Sequence, residues 1–153
     1  MTEGFYYAVI GAAIAMCAGI GSIIGVSRAG QASAALLSKD PSKFGSCLIL
    51  QLLPATQAIY GFVVAIVLLS GIGIFGAPVA LTAEEGIAKL VVCIPVGVVG
   101  LLSAIGQGNV AVSSINLTGK QEGQTGKAIM MTALVEFFAI LAFIISILGA
   151  ANG

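Results

Sequence analysis

Residues 131–145 read MTALVEFFAILAFII, inside a run from Ala128 to Ala151 whose only charged side chain is Glu136. A run this long and apolar reads as a helix that crosses a membrane. Even on the mildest scale, an ionised carboxylate at a bilayer centre costs about 2.5–3.5 kcal/mol. A bound proton, a bound cation or a polar cavity must offset that cost. Glu136 is therefore expected to be an ion site.

The composition agrees. The chain has 153 residues, 59% of them hydrophobic and 8% charged. Soluble domains carry about 25% charged residues, so this chain reads as an integral membrane protein. Six Lys and Arg balance six Asp and Glu, with no His. Zero net charge provides no polybasic surface for nucleic acid or anionic lipid. The 21 glycines suit membrane helices that pack closely. Cys17, Cys47 and Cys93 fall in apolar surroundings without disulfide or metal spacing, and read as small apolar filler. The N-terminus lacks the Lys/Arg region of a signal peptide, so the first apolar run is expected to stay in the mature chain.

Four spans follow. They run from Phe5 to Ser27, from beyond Lys43 to about Ser70, from Leu90 to about Gly106, and from Ala128 to Ala151. Each can cross a hydrocarbon core of about 30 Å as a helix. No stretch alternates polar and apolar residues as a barrel strand would. The connections are expected at Arg28–Lys43, around 71–89, and at Gln107–Lys127. Five of the six Lys and Arg residues fall in the first and third connections. The positive-inside rule puts those two in the cytoplasm, and both termini and the Glu84–Glu85 loop outside.

A shift of 79 residues registers the two halves without a gap: Gly21 on Gly100, Ala32 on Ala111, Arg28 on Gln107, and Gln57 on Glu136. The predicted fold is an all-α membrane protein of two tandem parallel-repeat hairpins, residues 1–76 and 77–153, with the carboxylate only in the second. Spans one and three carry small residues four apart, such as Gly11, Ala15 and Gly19, or Gly100, Ala104 and Gly108. That spacing lets backbones approach closely. Thin inner helices and bulky outer ones suit a ring of hairpins.

Span two contains QLLPATQAIY at 51–60, where Leu53, Thr56, Gln57 and Tyr60 share one broad helix face. Pro54 cannot donate a backbone hydrogen bond and loosens carbonyls near Leu50 to Leu53. A loosened carbonyl in a membrane needs a partner, and a cation is one candidate. Gln107, at the expected end of span three, adds another oxygen. Glu136 lies 16 residues before Asn152, and Gln57 lies 16 before Gly73, each about 24 Å along a helix. Hard cations take oxygen ligands, and one carboxylate with one monovalent cation is neutral. A proton would need only a carboxyl in an apolar pocket.

At these residues the chain resembles the proteolipid, or rotor-ring (c/K), component of V-type ATPases, and most closely the bacterial sodium-pumping branch. The resemblance rests on KFG at 43–45, ILQLLP at 49–54, Thr56-Gln57 with YGF at 60–62, GQG at 106–108, and Val135-Glu136 with Ala139-Ile140. It covers nearly the whole chain. It implies Na+ held by the Leu53 carbonyl, Thr56, Gln57, Gln107 and Glu136, with Tyr60 hydrogen-bonded to the carboxylate. It implies a ring of identical subunits in a bacterial plasma membrane, turning against a stator subunit with an Arg and touching a central stalk on the cytoplasmic side. The chain would be no enzyme; nucleotide hydrolysis would occur on other subunits. Phe137 and Phe138 depart from relatives that often carry a hydroxylated residue there.

Two alternatives stay open: a proton-carrying ring of the same family, and a small four-helix multidrug exporter, whose Glu usually lies in the first span. A purely structural membrane protein or channel fits Glu136 poorly. GIGIFG at 71–76 matches a nucleotide-binding pattern by letter but precedes no Rossmann unit. NLT at 116–118 matches a glycosylation acceptor but falls on the cytoplasmic side.

Overall fold

The computed structural model describes residues 2–152. Among them are four helices long and apolar enough to cross a membrane: Glu3–Leu37, Pro41–Gly71, Ala83–Lys120 and Thr125–Ala151. Each is interrupted once inside the apolar region. The first consists of α1 (Glu3–Ala15) and α2 (Cys17–Leu37), and the second, after a 3-10 turn at Pro41–Lys43, of α3 (Phe44–Leu52) and α4 (Thr56–Gly71). The third consists of α5 (Ala83–Val91) and α6 (Ile94–Lys120), and the fourth of α7 (Thr125–Ala133) and α8 (Glu136–Asn152).

The helices outrun the charge-free runs that marked them. Arg28 and Gln107 were expected in or at connections; they lie well inside α2 and α6. The first and third connections shrink to a few residues around 38–40 and 121–124, and the second spans about 72–82. Charges mark where lipid ends, whereas a helix keeps its backbone hydrogen bonds and continues into water. Arg28, exposed on α2, donates to Asn109 Oδ1 on α6 at 2.7 Å.

The ends have local causes. Asp40 accepts from the Ser42 hydroxyl and from the Ser42 backbone N–H at 3.1 Å, capping the turn that opens the second helix. The Ser42 hydroxyl foremost, with that N–H and Lys43, holds the Asp40 carboxyl below its ordinary value. The cap is therefore in place at neutral pH and is lost as pH falls through that lowered pKa. Thr82 and Glu85 form a reciprocal capping box at the start of α5. Gly73 turns the second connection at φ 74°, a conformation that a side chain disfavours.

The first and third helices form the main contact between the halves. Small residues make it possible: a Cβ at Gly21 would strike the backbone of Leu101, and one at Gly25 would meet Ala104 O at 2.5 Å and Pro54 Cβ at 2.8 Å. Residues 79 apart meet along the whole length. Leu81 N–H donates to Thr2 Oγ1 at 3.1 Å, Gly11 abuts Leu90, Gly25 abuts Ala104, and the Ser46 and Thr125 hydroxyls lie 3.1 Å apart. Equivalent residues of the two halves thus sit at equal depth, as tandem parallel hairpins require. The second and fourth helices carry exposed bulky residues, among them Phe44, Phe62, Phe137 and Phe138. Cys47 and Cys93 are buried free thiols among apolar neighbours.

Gly25→Val is expected to destabilise the chain by about 1–3 kcal/mol through overpacking, read as a lower thermal midpoint in detergent. Gly45→Ala is the control, because a Cβ at Gly45 meets nothing within 4 Å. An unchanged midpoint in Gly25→Val would contradict the close inner contact.

Candidate ion-binding site

A break in a membrane helix exposes backbone groups that lipid cannot satisfy. At three of the four breaks, side chains of neighbouring helices bond to the backbone. Pro54 turns residues Leu53–Ala55 into a 3-10 step, and the Ala58 N–H beyond it donates to Ser22 Oγ on the first helix at 3.0 Å. Pro95 follows the break in the third helix, and the next N–H, on Val96, donates to Ser146 Oγ at 3.1 Å. The fourth helix breaks at Leu134 and Val135 without a proline. Two carbonyls at this break also accept from the third helix: Gln107 Nε2 donates to Thr132 O at 3.1 Å, alongside the Val135 N–H at 3.4 Å, and Ser103 Oγ donates to Val135 O at 3.2 Å.

The breaks of the second and fourth helices lie side by side, and the expected site residues gather around them. Thr56 Oγ1 donates to Leu53 O at 2.9 Å and lies 3.3 Å from Gln57 Oε1. Gln57 Nε2 donates to Gln107 Oε1 at 2.7 Å and to Ser103 Oγ at 3.3 Å. Both Gln57 and Gln107 are 0% exposed. Glu136 opens α8, one residue beyond the Val135 carbonyl, and its Oε1 accepts from Tyr60 Oη at 2.5 Å. The Tyr60 ring is stacked on Phe143, with centroids 5.0 Å apart. The polar chain thus closes on itself: from Thr56 through Gln57, Ser103 and Val135 to Glu136, and back through Tyr60 to the helix that carries Thr56.

All six expected residues, Leu53, Thr56, Gln57, Tyr60, Gln107 and Glu136, meet in this one place. The Leu53 carbonyl is not bare, since the Thr56 N–H and hydroxyl both reach it. By donating to Leu53 O, the Thr56 hydroxyl keeps its own lone pairs available. Outward, Glu136 opens on a shallow groove whose other walls are apolar: Met130, Ala133, Leu134, Phe137 and Ile140. The carboxylate stands at the boundary between a polar interior and an apolar exterior.

Several residues escaped the reading of the sequence. Ser103 bridges Gln57 and Val135, and the Thr132 hydroxyl, 2.9 Å from Ser114 Oγ, shares Ala128 O with it. Ser103 lies one helical turn before Gln107 on the same face, a spacing that could have flagged it. Thr132 offered no comparable signal, because its importance comes from a break that no proline announces.

The model of the ATP synthase C-subunit family matches this chain twice, over residues 10–68 and 90–149. The chain belongs to that family. It is 41% identical over 150 residues to the V-type sodium ATPase subunit K of Enterococcus hirae, covering 97% of this chain and 93% of that one. It is 36% identical over 149 residues to the A-type ATP synthase subunit K of Methanocaldococcus jannaschii, covering 97% of this chain and 63% of that one. The family's members form membrane rings of identical copies. This chain is accordingly a multi-pass integral membrane protein, a non-catalytic, ion-translocating rotor-ring subunit.

Tyr60→Phe removes a hydrogen bond to a charged group, worth about 1.5–3 kcal/mol. The variant is expected to speed carbodiimide labelling of Glu136 by about tenfold or more at fixed pH. An unchanged rate would mean that Tyr60 does not hold the carboxylate.

Proposed function

We propose that each copy binds one Na+ at Glu136 and carries it past the stator as the ring turns. The observation that supports this reading is a hydrogen-bonded group of neutral oxygens next to the one carboxylate of the fourth span: Tyr60, one turn beyond Thr56 and Gln57, holds Glu136, and Gln57 holds Gln107. Gln57 and Gln107 are fully buried, and Thr56 and the Leu53 carbonyl complete the wall. A proton would need none of these groups, whereas a monovalent hard cation needs several oxygens and a single negative charge. The name of the Enterococcus relative, a sodium ATPase subunit, supports the same ion. Leu53, Thr56, Gln57, Gln107 and Glu136 would supply the oxygens, and Tyr60 would hold the carboxylate in place.

The mechanism follows from charge. With Na+ bound, the site is neutral, and the apolar groove beside Glu136 can face lipid at little cost. Without it, the bare carboxylate costs about 2.5–3.5 kcal/mol in hydrocarbon. An empty copy is therefore held where water or a positive charge faces it, and a filled copy moves on. An Arg on the stator subunit would supply that charge and help release the ion. The Tyr60 hydrogen bond would have to yield for the carboxylate to swing outward. ATP chemistry would take place on other subunits of the complex, and this chain would bind no nucleotide.

The remaining readings concern placement. The hairpins would divide at residues 76 and 77, in the second connection. Lys39, Lys43, Lys120 and Lys127 at the short first and third turns would face the cytoplasm, where the central stalk docks. Both termini would lie outside a bacterial plasma membrane.

The test is the rate at which a carbodiimide, which reacts with a protonated carboxyl, labels Glu136 at fixed pH. Millimolar Na+ is expected to protect strongly. Labelling indifferent to Na+ but falling as pH rises would replace this reading with a proton ring. Glu136→Gln is expected to abolish transport while the ring still assembles; coupled transport at the normal rate would remove Glu136 from the site. Thr56→Val is expected to weaken Na+ protection by about tenfold, the worth of one oxygen contact of about 1.4 kcal/mol.

A further inference from the structure

Ser103 is buried and sits on the third helix between the two broken helices. A hydroxyl has one hydrogen to donate and lone pairs to accept. Ser103 uses both, donating to Val135 O at 3.2 Å and accepting from Gln57 Nε2 at 3.3 Å. Val135 precedes Glu136 in the chain, and Gln57 is one of the amides of the ion site. The other serines at the breaks act differently. Ser22 and Ser146 each accept one backbone N–H, from Ala58 and from Val96. Ser103 alone among these three bonds both to the backbone next to Glu136 and to an amide of the proposed ion site.

We propose that Ser103 is a positioning residue for ion binding: its hydroxyl holds the break of the fourth helix against Gln57 and so sets the spacing between Glu136 and the amide oxygens. This inference rests on the sodium reading above. No proline keeps the fourth helix open at Leu134 and Val135. At this break two carbonyls receive a donor from another helix, Ser103 for Val135 and Gln107 for Thr132. Removing the Ser103 hydroxyl takes a donor from Val135 and an acceptor from Gln57 in a place that water reaches poorly. Both groups must turn to other partners, and Glu136 and Gln57 shift relative to each other. A small cation that needs several oxygens at once feels such a shift more than assembly does.

The experiment measures the Na+ concentration that half-protects Glu136 from carbodiimide labelling in purified rings, for wild type and three variants. Ser103→Ala is expected to raise it about tenfold, the loss of one to two hydrogen bonds, with rings of normal mass. Ser103→Thr, which keeps the hydroxyl, is expected to stay within about threefold of wild type. Ser146→Ala, which removes a break-capping hydroxyl away from the site, is expected to leave the value unchanged. A wild-type value in Ser103→Ala overturns the proposal, and so does an equal rise in Ser103→Ala and Ser146→Ala, which would mean general loosening. Should Ser103→Ala not assemble, Ser103→Cys, a weaker donor, takes its place with the same expected direction. If wild-type rings show no Na+ protection, the sodium reading itself fails and this one falls with it.

Discussion

In hydrocarbon, a polar group without a partner is costly, and this chain places many polar groups there. Each of its four membrane helices is interrupted, so each exposes backbone groups that a continuous helix would satisfy internally. Three of the four breaks receive side chains from a neighbouring helix: Ser22 at the second, Ser146 at the third, and Ser103 with Gln107 at the fourth. These bonds brace each hairpin from within, and Gln57, donating to Ser103 and Gln107, ties one hairpin to the other. Site and fold thus rest on the same requirement.

Close packing makes those bonds reachable. Gly21, Gly25 and Gly108 let the first and third helices touch backbone to backbone. Where side chains are this small, dispersion and shape hold the helices together, since lipid removes the usual hydrophobic drive between them. The inner pair then sets the depth of everything hung on it. Because residues 79 apart lie side by side, Gln57 and Glu136 come to the same level, and Gln107 reaches Gln57 from the third helix. The bulky outer faces are left for lipid or for neighbouring copies. The two matches to the ATP synthase C-subunit family fall one on each hairpin, in keeping with this duplicated plan.

The asymmetry between the halves is chemical. At the position where the second half has Glu136, the first has Gln57, so the pair carries one carboxyl group. The amide is not idle: it donates to Gln107 and Ser103 and keeps its oxygen beside Thr56. A carboxylate there would set two like charges in one apolar neighbourhood, which a single monovalent ion could not neutralise.

Hydropathy and charge were enough to identify a membrane protein, count its spans, find the 79-residue register and single out Glu136, because apolar length and a lone charge within an apolar run are local properties. Pro54 likewise announced the break in the second helix, since a missing N–H is written in the residue itself. The helix ends were not legible in this way: Arg28 and Gln107 looked like loop residues because charge and polarity report the lipid boundary, not the hydrogen bonding of the backbone. The break before Glu136 was hidden too, for no local residue announces it, and the side chains that bond to it, Ser103 and Gln107, reach across from another helix. Residue types could nominate Leu53, Thr56, Gln57, Tyr60 and Gln107. Only the packing of the inner helices could bring them to one carboxylate, because the distances between helices depend on which small residues face each other.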